Sequence, residues 1–394
     1  MSIAPLQPPP PPRGFERQEF ESRAERLQAG MAAADVDLLL LTTEPDVRYL
    51  SGFDTPFWHS PTRPWFLLLP AVGGPTAVIP EIGAPAMTAT WVDDIRTWPA
   101  PVPADDGVTL LSETILELVG RQGAVGVPMG PETHLRMPLA DWARLRDLLP
   151  GIEVVDATST LAAVRTIKSA AEIAKIRHIC HLAGDAFDAL PDIAREGAAL
   201  STVFRRFHLD LLGRGADRVP YLVGAAGPGG YPDVISPPTD DPLRPGDVLM
   251  LDTGAVHDGY FCDFDRNVAI RRADTTAFRA YDTLHRAVDA GLRATRPGAR
   301  CADLFAAMAA VIAGDGYRAG NIGRFGHGLG LQLTEWPSHT PTDHTVLRAD
   351  MVITLEPGLT ITPGCTMVHE EDVLVVADGA ELLTRRAPAE LPII

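Results

Sequence analysis

Acidic residues interrupt an apolar stretch of the chain, LMLDTGAVHDGYFCDFDRNVAI, which begins at residue 249. The alternating pattern and the central HDG turn predict two buried antiparallel strands. With His-Asp in the turn, Asp252 faces Asp263, whereas an Asp-Gly turn places Asp252 opposite Asp265 and diagonal to Asp263. Both registers put Asp252 and Asp263 on the same face, because side chains alternate along a strand. Two carboxylates about 5 Å apart at Cβ repel each other unless a cation lies between them.

Two further segments carry residues of the kind that bind metal ions. GRFGHGLGLQLTEWPS surrounds His327 with Gly326, Gly328 and Gly330, which allow the backbone to bring an imidazole close to a crowded centre. MVITLEPGLTI ends an apolar strand at Glu356, directly before a Pro-Gly pair. These segments therefore add one imidazole and one carboxylate to the paired aspartates.

A third segment, TMVHEEDVLVV, places three consecutive acids inside an apolar strand. Glu371 and His369 share one face of this strand, and Glu370 and Asp372 share the other. An oxygen-rich set with one imidazole suits Mn²⁺, Co²⁺, Fe²⁺ or Zn²⁺. We predict two divalent ions, with Mn²⁺ or Co²⁺ preferred over Zn²⁺ or Fe²⁺. Two Asp, one His and two Glu, all in otherwise apolar strands, therefore make a suitable ligand set for two ions.

Length and composition set the broad class of protein. The chain has 394 residues, more than one hydrophobic core usually serves, so we expect two domains. A formal net charge of −17 argues against nucleic acid and anionic membranes as partners. The four cysteines are scattered without a CxxC pair, so we expect no disulfide framework and a reducing, cytoplasmic location.

The sequence pattern divides the chain into three segments. Residues 1–14 include PLQPPPPPR, which predicts a disordered, extended tail. Short apolar strands alternate with helices over residues 15–160, and this alternation indicates an α/β domain. Residues 161–394 begin with a long helix, N-capped by Ser169 with Glu172 as the capping-box partner. Strands then follow at 248–270, 351–361 and 366–376, which predicts an α+β catalytic domain.

The order of the five ligand residues, in the motifs DTG…GY…D, GHGLGL, EPG and EED, resembles the pita-bread metallopeptidases of family M24. That family includes methionine aminopeptidase, aminopeptidase P, prolidase and the metal-free creatinase. RTIKSAAEIAKIRHI is similar to the start of the family's catalytic domain, and DVRYLSGF to the creatinase-type N-terminal domain. The resemblance implies a creatinase-type α/β domain over 15–160, a pita-bread α+β domain over 161–394, and a homodimer.

The same resemblance implies which residues bind each of the two ions. Asp252 and Asp263 would hold one ion, and Asp263 with His327, Glu356 and Glu371 would hold the other. The ions would lower the pKa of a shared water, and Glu356 would pass a proton to the leaving nitrogen. The implied activity is cleavage of a C–N amide bond, as in an Xaa-Pro dipeptidase or aminopeptidase. A hydrolase of a small nitrogenous metabolite, or a non-catalytic family member, is the alternative.

Three positions depart from the family pattern. The histidine that usually follows the ligand histidine by seven residues is replaced by Thr334, and the loop over 231–237 has no histidine. His369 stands where proline-specific members commonly have arginine, two residues before Glu371. Either Thr334, His369 and Tyr231 supply alternative hydrogen bonds to an Xaa-Pro substrate, or the pocket accepts a different small amide.

An aromatic, Pro-rich stretch, GFDTPFWHSPTRPWF, is the other unusual feature. Family dimers often place such an N-domain loop at the partner's active site. We expect Trp58 and His59 to line the substrate pocket and Arg63 to bind a substrate carboxylate. The alternative interpretation is that these aromatic residues only pack the domains.

Overall fold

The computed structural model describes residues 9–320 and 323–394. The described residues form two compact units, one over Pro12–Arg165 and one over Thr166–Ile394. Residues 1–8 of the predicted Pro-rich tail lie outside the described residues. Within the described part of the chain, no helix combines the length and the hydropathy needed to cross a membrane.

The N-terminal unit is built on one mixed six-stranded sheet. Strands β1 to β3 are antiparallel neighbours, whereas the outer pairs β3/β4, β1/β5 and β5/β6 are parallel. The sheet order is β4-β3-β2-β1-β5-β6. Its strands are β1 (Leu38–Leu41), β2 (Phe66–Pro70), β3 (Thr76–Pro80), β4 (Asp94–Trp98), β5 (Gly123–Val127) and β6 (Ile152–Asp156). Its helices are α1 (Arg17–Ala33), α2 (Glu44–Ser51), α3 (Ala84–Thr88), α4 (Val108–Val119), α5 (Leu139–Leu148) and α6 (Thr158–Arg165).

The central strand explains why this sheet is covered by helices. All four leucines of β1 are buried, which requires apolar partners on both faces of the sheet. Helix α1 buries Phe20, Leu27 and Met31, the stripe that its sequence spacing predicts. The α/β architecture predicted for this part of the chain is therefore confirmed.

The second unit joins long helices to three antiparallel sheets. Helix α7 begins after Ser169, and both hydrogen bonds of the predicted capping box with Glu172 are present. The helices are α7 (Ala170–Asp188), α8 (Leu190–Ile193), α9 (Leu200–Arg214), α10 (Thr275–Ala294) and α11 (Cys301–Gly314). The first sheet has the order β10-β8-β7, with β9 also paired to β8. Its strands are β7 (Arg218–Pro228), β8 (Asp247–His257), β9 (Tyr260–Phe261) and β10 (Phe264–Ala269).

Two further sheets complete this unit, with the orders β13-β12-β14-β17-β18 and β11-β15-β16. Apolar side chains of α10, α11 and the facing strands form its main core. The strands are β11 (Arg318–Ala319), β12 (His327–Gly328), β13 (Glu335–Ser338), β14 (Val352–Leu355), β15 (Gly358–Thr362), β16 (Cys365–Val368), β17 (Glu371–Val376) and β18 (Gly379–Leu382). The predicted α+β class is confirmed.

Two predicted strands are each interrupted at a chemically important position. The strand expected over 351–361 stops at Leu355 and resumes at Gly358, and the strand expected over 366–376 stops at Val368 and resumes at Glu371. Pro357 lies in the first gap and has no N–H for a ladder hydrogen bond. The amide of His369, in the second gap, donates to the carbonyl of Pro357 at 3.2 Å. The two gaps therefore face each other, and Glu356 and Glu370 lie in them.

Candidate metal centre

The β8–β9–β10 hairpin sets the positions of the paired aspartates. His257 pairs with Tyr260, so Asp258 and Gly259 form the turn, and the second of the two predicted registers is the one adopted. Asp265 lies directly opposite Asp252 in the ladder. Asp263 is diagonal to Asp252 and shares its face, because it precedes Asp265 by two residues. The hairpin thus brings three carboxylates to one face.

Glycines allow the segment of His327 to approach this face closely. Gly326 has φ +130°, and a Cβ atom built there would lie 2.1 Å from the carbonyl oxygen of Thr354. A Cβ at Gly328 would lie 1.9 Å from the carbonyl oxygen of Trp336. No other residue type fits either position without displacing the backbone of a neighbouring strand.

The imidazole of His327 is oriented for a ligand role. Its Nδ1 lies 2.8 Å from the carbonyl oxygen of Gly328, so Nδ1–H donates and Nε2 carries the lone pair. That Nε2 atom lies 3.3 Å from Oδ2 of Asp263. The backbone N–H of His327 donates to Oγ1 of Thr354 at 3.2 Å, which fixes the ring against β14.

One carboxylate from the HEED segment joins this pair. Asp263, His327 and Glu370 each place a ligand atom within 4.8 Å of the others, and all three residues are buried. Among the described residues, Oε1 of Glu370 and Oδ1 of Asp252 are buried with no hydrogen-bond partner. Buried carboxylate oxygens of this kind are costly unless a cation or proton satisfies them.

Glu371, predicted as the fifth ligand, does not face the cluster, and this prediction is corrected. Its carboxylate accepts hydrogen bonds from Arg266 at 2.9 Å, from Arg386 at 3.0 Å and from Thr384. The predicted alternation of side chains holds, but the opposite face points toward the aspartates. Glu371 lies on the same face of the strand as Val373 and Val375, and these two valines belong to the apolar core.

The pKa values of the two adjacent glutamates are shifted in opposite directions. Burial and repulsion from Asp263 and Glu356 raise the pKa of Glu370 well above its usual value. For Glu371, burial favours a higher pKa, but the Arg266 guanidinium and the hydrogen bond from Thr384 outweigh burial and lower the pKa. Glu371 is therefore already neutralised by the protein, whereas Glu370 is not.

The pKa values of the other carboxylates in the cluster are also raised, as for Glu370. Burial raises the pKa of Asp252, Asp263 and Glu356, and repulsion from neighbouring acids adds to this effect at Asp252 and Asp263. Asp252 and Glu356 are half-buried, whereas Asp263 and Glu370 are fully buried, so the cluster opens to solvent on the side of Asp252 and Glu356. Four carboxylates, two of them with an oxygen that has no partner among the described residues, and one imidazole fit a pair of divalent cations.

Asp372, which was not identified from the sequence as a site residue, hydrogen-bonds the backbone of the cluster member Asp263. Its Oδ2 accepts the backbone N–H of Asp263 at 3.0 Å and the thiol of Cys180, on α7, at 3.2 Å. Asp372 is fully buried on the same face as Glu370. In the sequence, Glu370 shares its face of the strand with this second acid, whereas Glu371 shares its face with valines. That difference is the signal that could have identified Glu370 as the ligand.

Thr334 was predicted to contact substrate. In the structure it hydrogen-bonds Arg324, a residue that was not identified from the sequence as a site residue. Nη2 of Arg324 donates to Oγ1 of Thr334 at 3.2 Å, and Nη1 donates to Oγ of Ser338 at 3.0 Å. Arg324 and Thr334 are both half-buried. Thr334 therefore orients a guanidinium beside the cluster.

The structure does not bring His369 or Tyr231 to the open side of the cluster. His369 is 1% exposed, and its Nε2 accepts from Nη1 of Arg386 at 2.8 Å. Burial is the main cause that lowers the pKa of His369 to about 4, so the ring is neutral. The hydroxyl of Tyr231 accepts the N–H of Val368 at 2.7 Å and donates to Oδ1 of Asn267 at 3.1 Å. Both predicted roles in substrate binding are corrected to roles in packing.

The aromatic loop of the N-terminal unit is organised by Arg136. Its guanidinium donates to backbone carbonyl oxygens of the loop and lies 5.2 Å from the ring centroid of Trp58. The accepting carbonyls belong to Phe57, Trp58, Ser60, Thr62 and Arg63. Trp58 is 7% exposed, packs against Phe53 and Trp65, and has no hydrogen-bond partner for its indole nitrogen among the described residues. His59 is exposed, and Arg63 lies over the ring of Phe57 at 4.8 Å.

Arg136→Met should loosen this loop without unfolding the sheet. We expect a loss of roughly 1–3 kcal/mol in the free energy of unfolding, because a charged donor to several carbonyls is removed. Amide hydrogen exchange of residues 57–63 should accelerate, as measured by mass spectrometry. Arg146→Met is the control, since Arg146 is exposed and only covers Trp142. Equal exchange of the loop in both variants would contradict this role of Arg136.

Comparisons with known proteins agree with this architecture. The model of the creatinase/prolidase N-terminal domain matches residues 23–167, and that of metallopeptidase family M24 matches residues 174–378. A Mycobacterium tuberculosis protein named "Probable dipeptidase PepE" is 28% identical over 97% of this chain and 99% of its own length.

Two solved structures share the fold over nearly the whole chain. The crystal structure of dipeptidase PepE from Mycobacterium ulcerans has a TM-score of 0.83 and 28% identity, and it covers 96% of this chain and 99% of its own. A prolidase from Thermococcus sibiricus has a TM-score of 0.86 and 23% identity, with coverage of 97% and 100%. The M24 model spans more than half of the chain, and its region contains every member of the cluster. The chain therefore belongs to metallopeptidase family M24 and is a metal-dependent hydrolase.

Proposed function

We propose that this enzyme is a dipeptidase that hydrolyses the amide bond of small peptides, with Xaa-Pro dipeptides as the first substrates to test. The observation that supports this most directly is the buried group of Asp263, His327 and Glu370, whose possible ligand atoms lie within 4.8 Å of one another. Asp252 and Glu356 are half-buried and complete the proposed ligand set, and one oxygen each of Asp252 and Glu370 has no hydrogen-bond partner among the described residues. The relatives named above are called dipeptidase and prolidase, which supports a small peptide as substrate.

The protein groups around the proposed ions have separate tasks. Bound divalent cations supply Lewis acidity toward the scissile carbonyl and lower the pKa of water. Asp252, Asp263, His327 and Glu370 would hold them, and Glu356 would both bind and carry a proton toward the leaving nitrogen. Glu356 suits that role because it is half-buried at the solvent side of the cluster, where a substrate enters. Tyr221, whose hydroxyl bonds to Asp252, keeps that carboxylate turned inward.

Mn²⁺ or Co²⁺ is our proposal for the ions, since the donor set is rich in hard oxygen ligands and has one imidazole. A homodimer in the cytoplasm is proposed on the family resemblance and on the cysteines, which are all free and of which three are buried. The contacts of Trp58, His59 and Arg63 with a substrate stay a prediction.

A different small amide remains the second candidate because of one observation. Thr334 occupies the position where family peptidases usually have a second histidine, and it bonds Arg324 instead. Replacement of the histidine by Thr334 changes the hydrogen-bond donors near the cluster. Different donors recognise different carbonyl or anionic groups of a substrate.

Activity profiling tests these candidates directly. The metal-free protein should be loaded with Mn²⁺ or Co²⁺ and assayed on Ala-Pro, Leu-Pro, Ala-Ala and simple acyl amides, with product release followed by chromatography. We expect release of free proline or alanine from dipeptides, and a loss of roughly 100-fold or more in kcat for Glu356→Gln, because transition-state contacts are removed. Turnover of acyl amides alone would favour the second candidate. Two tightly bound ions without any turnover would contradict the dipeptidase proposal.

A further inference from the structure

Asp265 is a further buried carboxylate that the β8–β9–β10 hairpin brings to the face of the metal cluster. It is the ladder partner of Asp252 and follows Asp263 by two residues, so the three side chains leave the sheet on one face. Directly opposed side chains lie about 5 Å apart at Cβ. Asp265 is only 1% exposed, so its carboxylate is removed from bulk water. Its two oxygens therefore depend on partners inside the protein.

One oxygen of Asp265 has its partners on the side away from solvent. Nδ2 of Asn267 donates to Oδ1 of Asp265 at 3.2 Å. The orientation of this amide is fixed, because its Nδ2 also donates to the carbonyl of Val368 and its Oδ1 accepts the hydroxyl of Tyr231. Nδ1 of His369 lies 3.9 Å from the same Oδ1 of Asp265. This Nδ1 carries the ring proton, since the other ring nitrogen accepts an arginine N–H.

The second oxygen of Asp265 is left for another ligand. Oδ2 is buried and has no hydrogen-bond partner among the described residues. The guanidinium of Arg266 does not bond this carboxylate, because it donates to the backbone carbonyl of Asp265 at 2.6 Å and to Glu371. Oδ1 of Asp252, the ladder partner, is also buried without a hydrogen-bond partner. Two opposed carboxylates in this state are costly unless a cation or a shared proton satisfies them.

We propose that Asp265 is an additional metal ligand, which binds through Oδ2 the ion that Asp252 and Asp263 hold. This ion then has three carboxylates from one hairpin and no imidazole, a hard oxygen set that suits Mn²⁺. The inference rests on the two-ion centre of the proposed function and does not depend on which amide the enzyme cleaves. A proton shared between Asp252 and Asp265 is the competing explanation.

Titration of the metal-free protein with Mn²⁺, followed by calorimetry, tests this assignment without an assay of activity. We expect wild type to bind two ions. In Asp265→Asn, the ion held by His327 and Glu370 should keep nearly its wild-type Kd. The Kd of the other ion should rise about 10-fold or more, because a neutral amide replaces one of its charged ligands.

Asp247→Asn is the matched control, because Asp247 is a buried acid on the same strand as Asp252. It precedes Asp252 by five residues and so lies on the opposite face of the sheet. Its carboxylate accepts the backbone N–H of Arg244 at 2.8 Å, a bond that an amide oxygen can also accept. Both Kd values of this variant should equal those of wild type.

The stability of the metal-free protein separates a metal ligand from an acid that the fold needs. Asp265→Asn removes one of two opposed carboxylates and supplies an N–H that can donate to the unpartnered oxygen of Asp252. We therefore expect a higher Tm than wild type without ions, and a smaller increase in Tm on addition of Mn²⁺. An acid required for folding would instead give a lower Tm in both conditions.

A cysteine at the same position tests direct contact with the ion. In Asp265→Cys loaded with Co²⁺, a thiolate ligand should add a charge-transfer absorption band in the near ultraviolet. Wild type and Asp247→Cys should lack this band when loaded in the same way. The four native cysteines are present in all three proteins, so the comparison isolates the introduced thiol.

The outcomes distinguish this inference from the centre on which it rests. If Asp265→Asn binds both ions as wild type does, or if cobalt-loaded Asp265→Cys lacks the new band, Asp265 is not a ligand while the two-ion centre stands. A lower Tm of metal-free Asp265→Asn would also overturn the inference, in favour of a structural role. If wild type binds fewer than two Mn²⁺ ions, the centre is wrong and the inference falls with it. Two bound ions without turnover of any peptide would overturn the dipeptidase proposal alone.

Discussion

Glu370→Gln is expected to abolish tight binding of divalent ions and to reduce kcat/KM by roughly 100-fold or more, since even an outer partner of a metal ligand is worth 10- to 100-fold. The physical reason is that Glu370 shares the buried cluster with Asp263 and His327 and has an oxygen that no protein group satisfies. A glutamine at this position keeps the shape but offers one neutral oxygen in place of a charged carboxylate. Metal content by mass spectrometry and activity on a dipeptide measure the effect.

Glu371→Gln is the matched control, and it should fail in a different way. Its carboxylate is fully buried between Arg266 and Arg386, so the variant leaves two guanidinium groups without their shared anion. Breaking a buried ion pair from one side costs about 3–5 kcal/mol, which would appear as a large drop in Tm. Below that Tm, the variant should still bind two ions. Retained ion binding in Glu370→Gln, together with its loss in Glu371→Gln, would overturn the assignment of the two residues.

Divalent ions should stabilise the protein strongly, and more so at higher pH. Without ions, the pKa values of Asp252, Asp263 and Glu370 are raised by burial and by repulsion from neighbouring acids, and that of Glu356 is raised by burial. Folding then requires the cluster to retain protons that the unfolded chain releases above about pH 4. The free energy of unfolding of the metal-free protein therefore falls as the pH rises from about 4 through these raised pKa values.

Bound cations remove this requirement because they neutralise the carboxylates without protons. At 100 times the Kd, an ion specific for the folded state adds about 2.7 kcal/mol, and protons compete with it less as the pH rises. We expect the increase in Tm on addition of Mn²⁺ to be larger at pH 8 than at pH 5, as followed by calorimetry. Asp192→Asn, an exposed acid on α8, should show the same increase as wild type, whereas Glu370→Gln should show little. A Tm increase that does not depend on pH would argue against the cluster as the binding site.

The sequence predicts the fold and most of the centre because both depend on local patterns. Alternation along β8 and β10 places Asp252 and Asp263 on one face in either turn register, so the prediction did not require the register to be known. Glycines at 326 and 328 predict a close approach of backbones, and the structure shows that approach. The capping box at Ser169 is similarly local and is present.

The errors concern choices that depend on groups far away in the chain. Alternation separates Glu370 from Glu371 but does not say which face meets the aspartates. That choice depends on Arg266 and Arg386, which neutralise one face, and on Asp372, which supports Asp263 from the other. His369 was assigned to the substrate for the same reason, since its partner Arg386 lies seventeen positions later.

The gaps in the strands at Glu356 and Glu370 bear on which metal the enzyme accepts. Neither carboxylate belongs to a regular ladder, because β14 ends before Glu356 and β17 begins after Glu370. Single backbone hydrogen bonds hold the two gaps instead, from Glu356 to Phe325 and from His369 to Pro357. Because a ligand outside a ladder is held by fewer backbone bonds than one inside it, we expect the centre to accept divalent cations of different radius, and metal analysis of enzyme produced with different ions in the medium would test this.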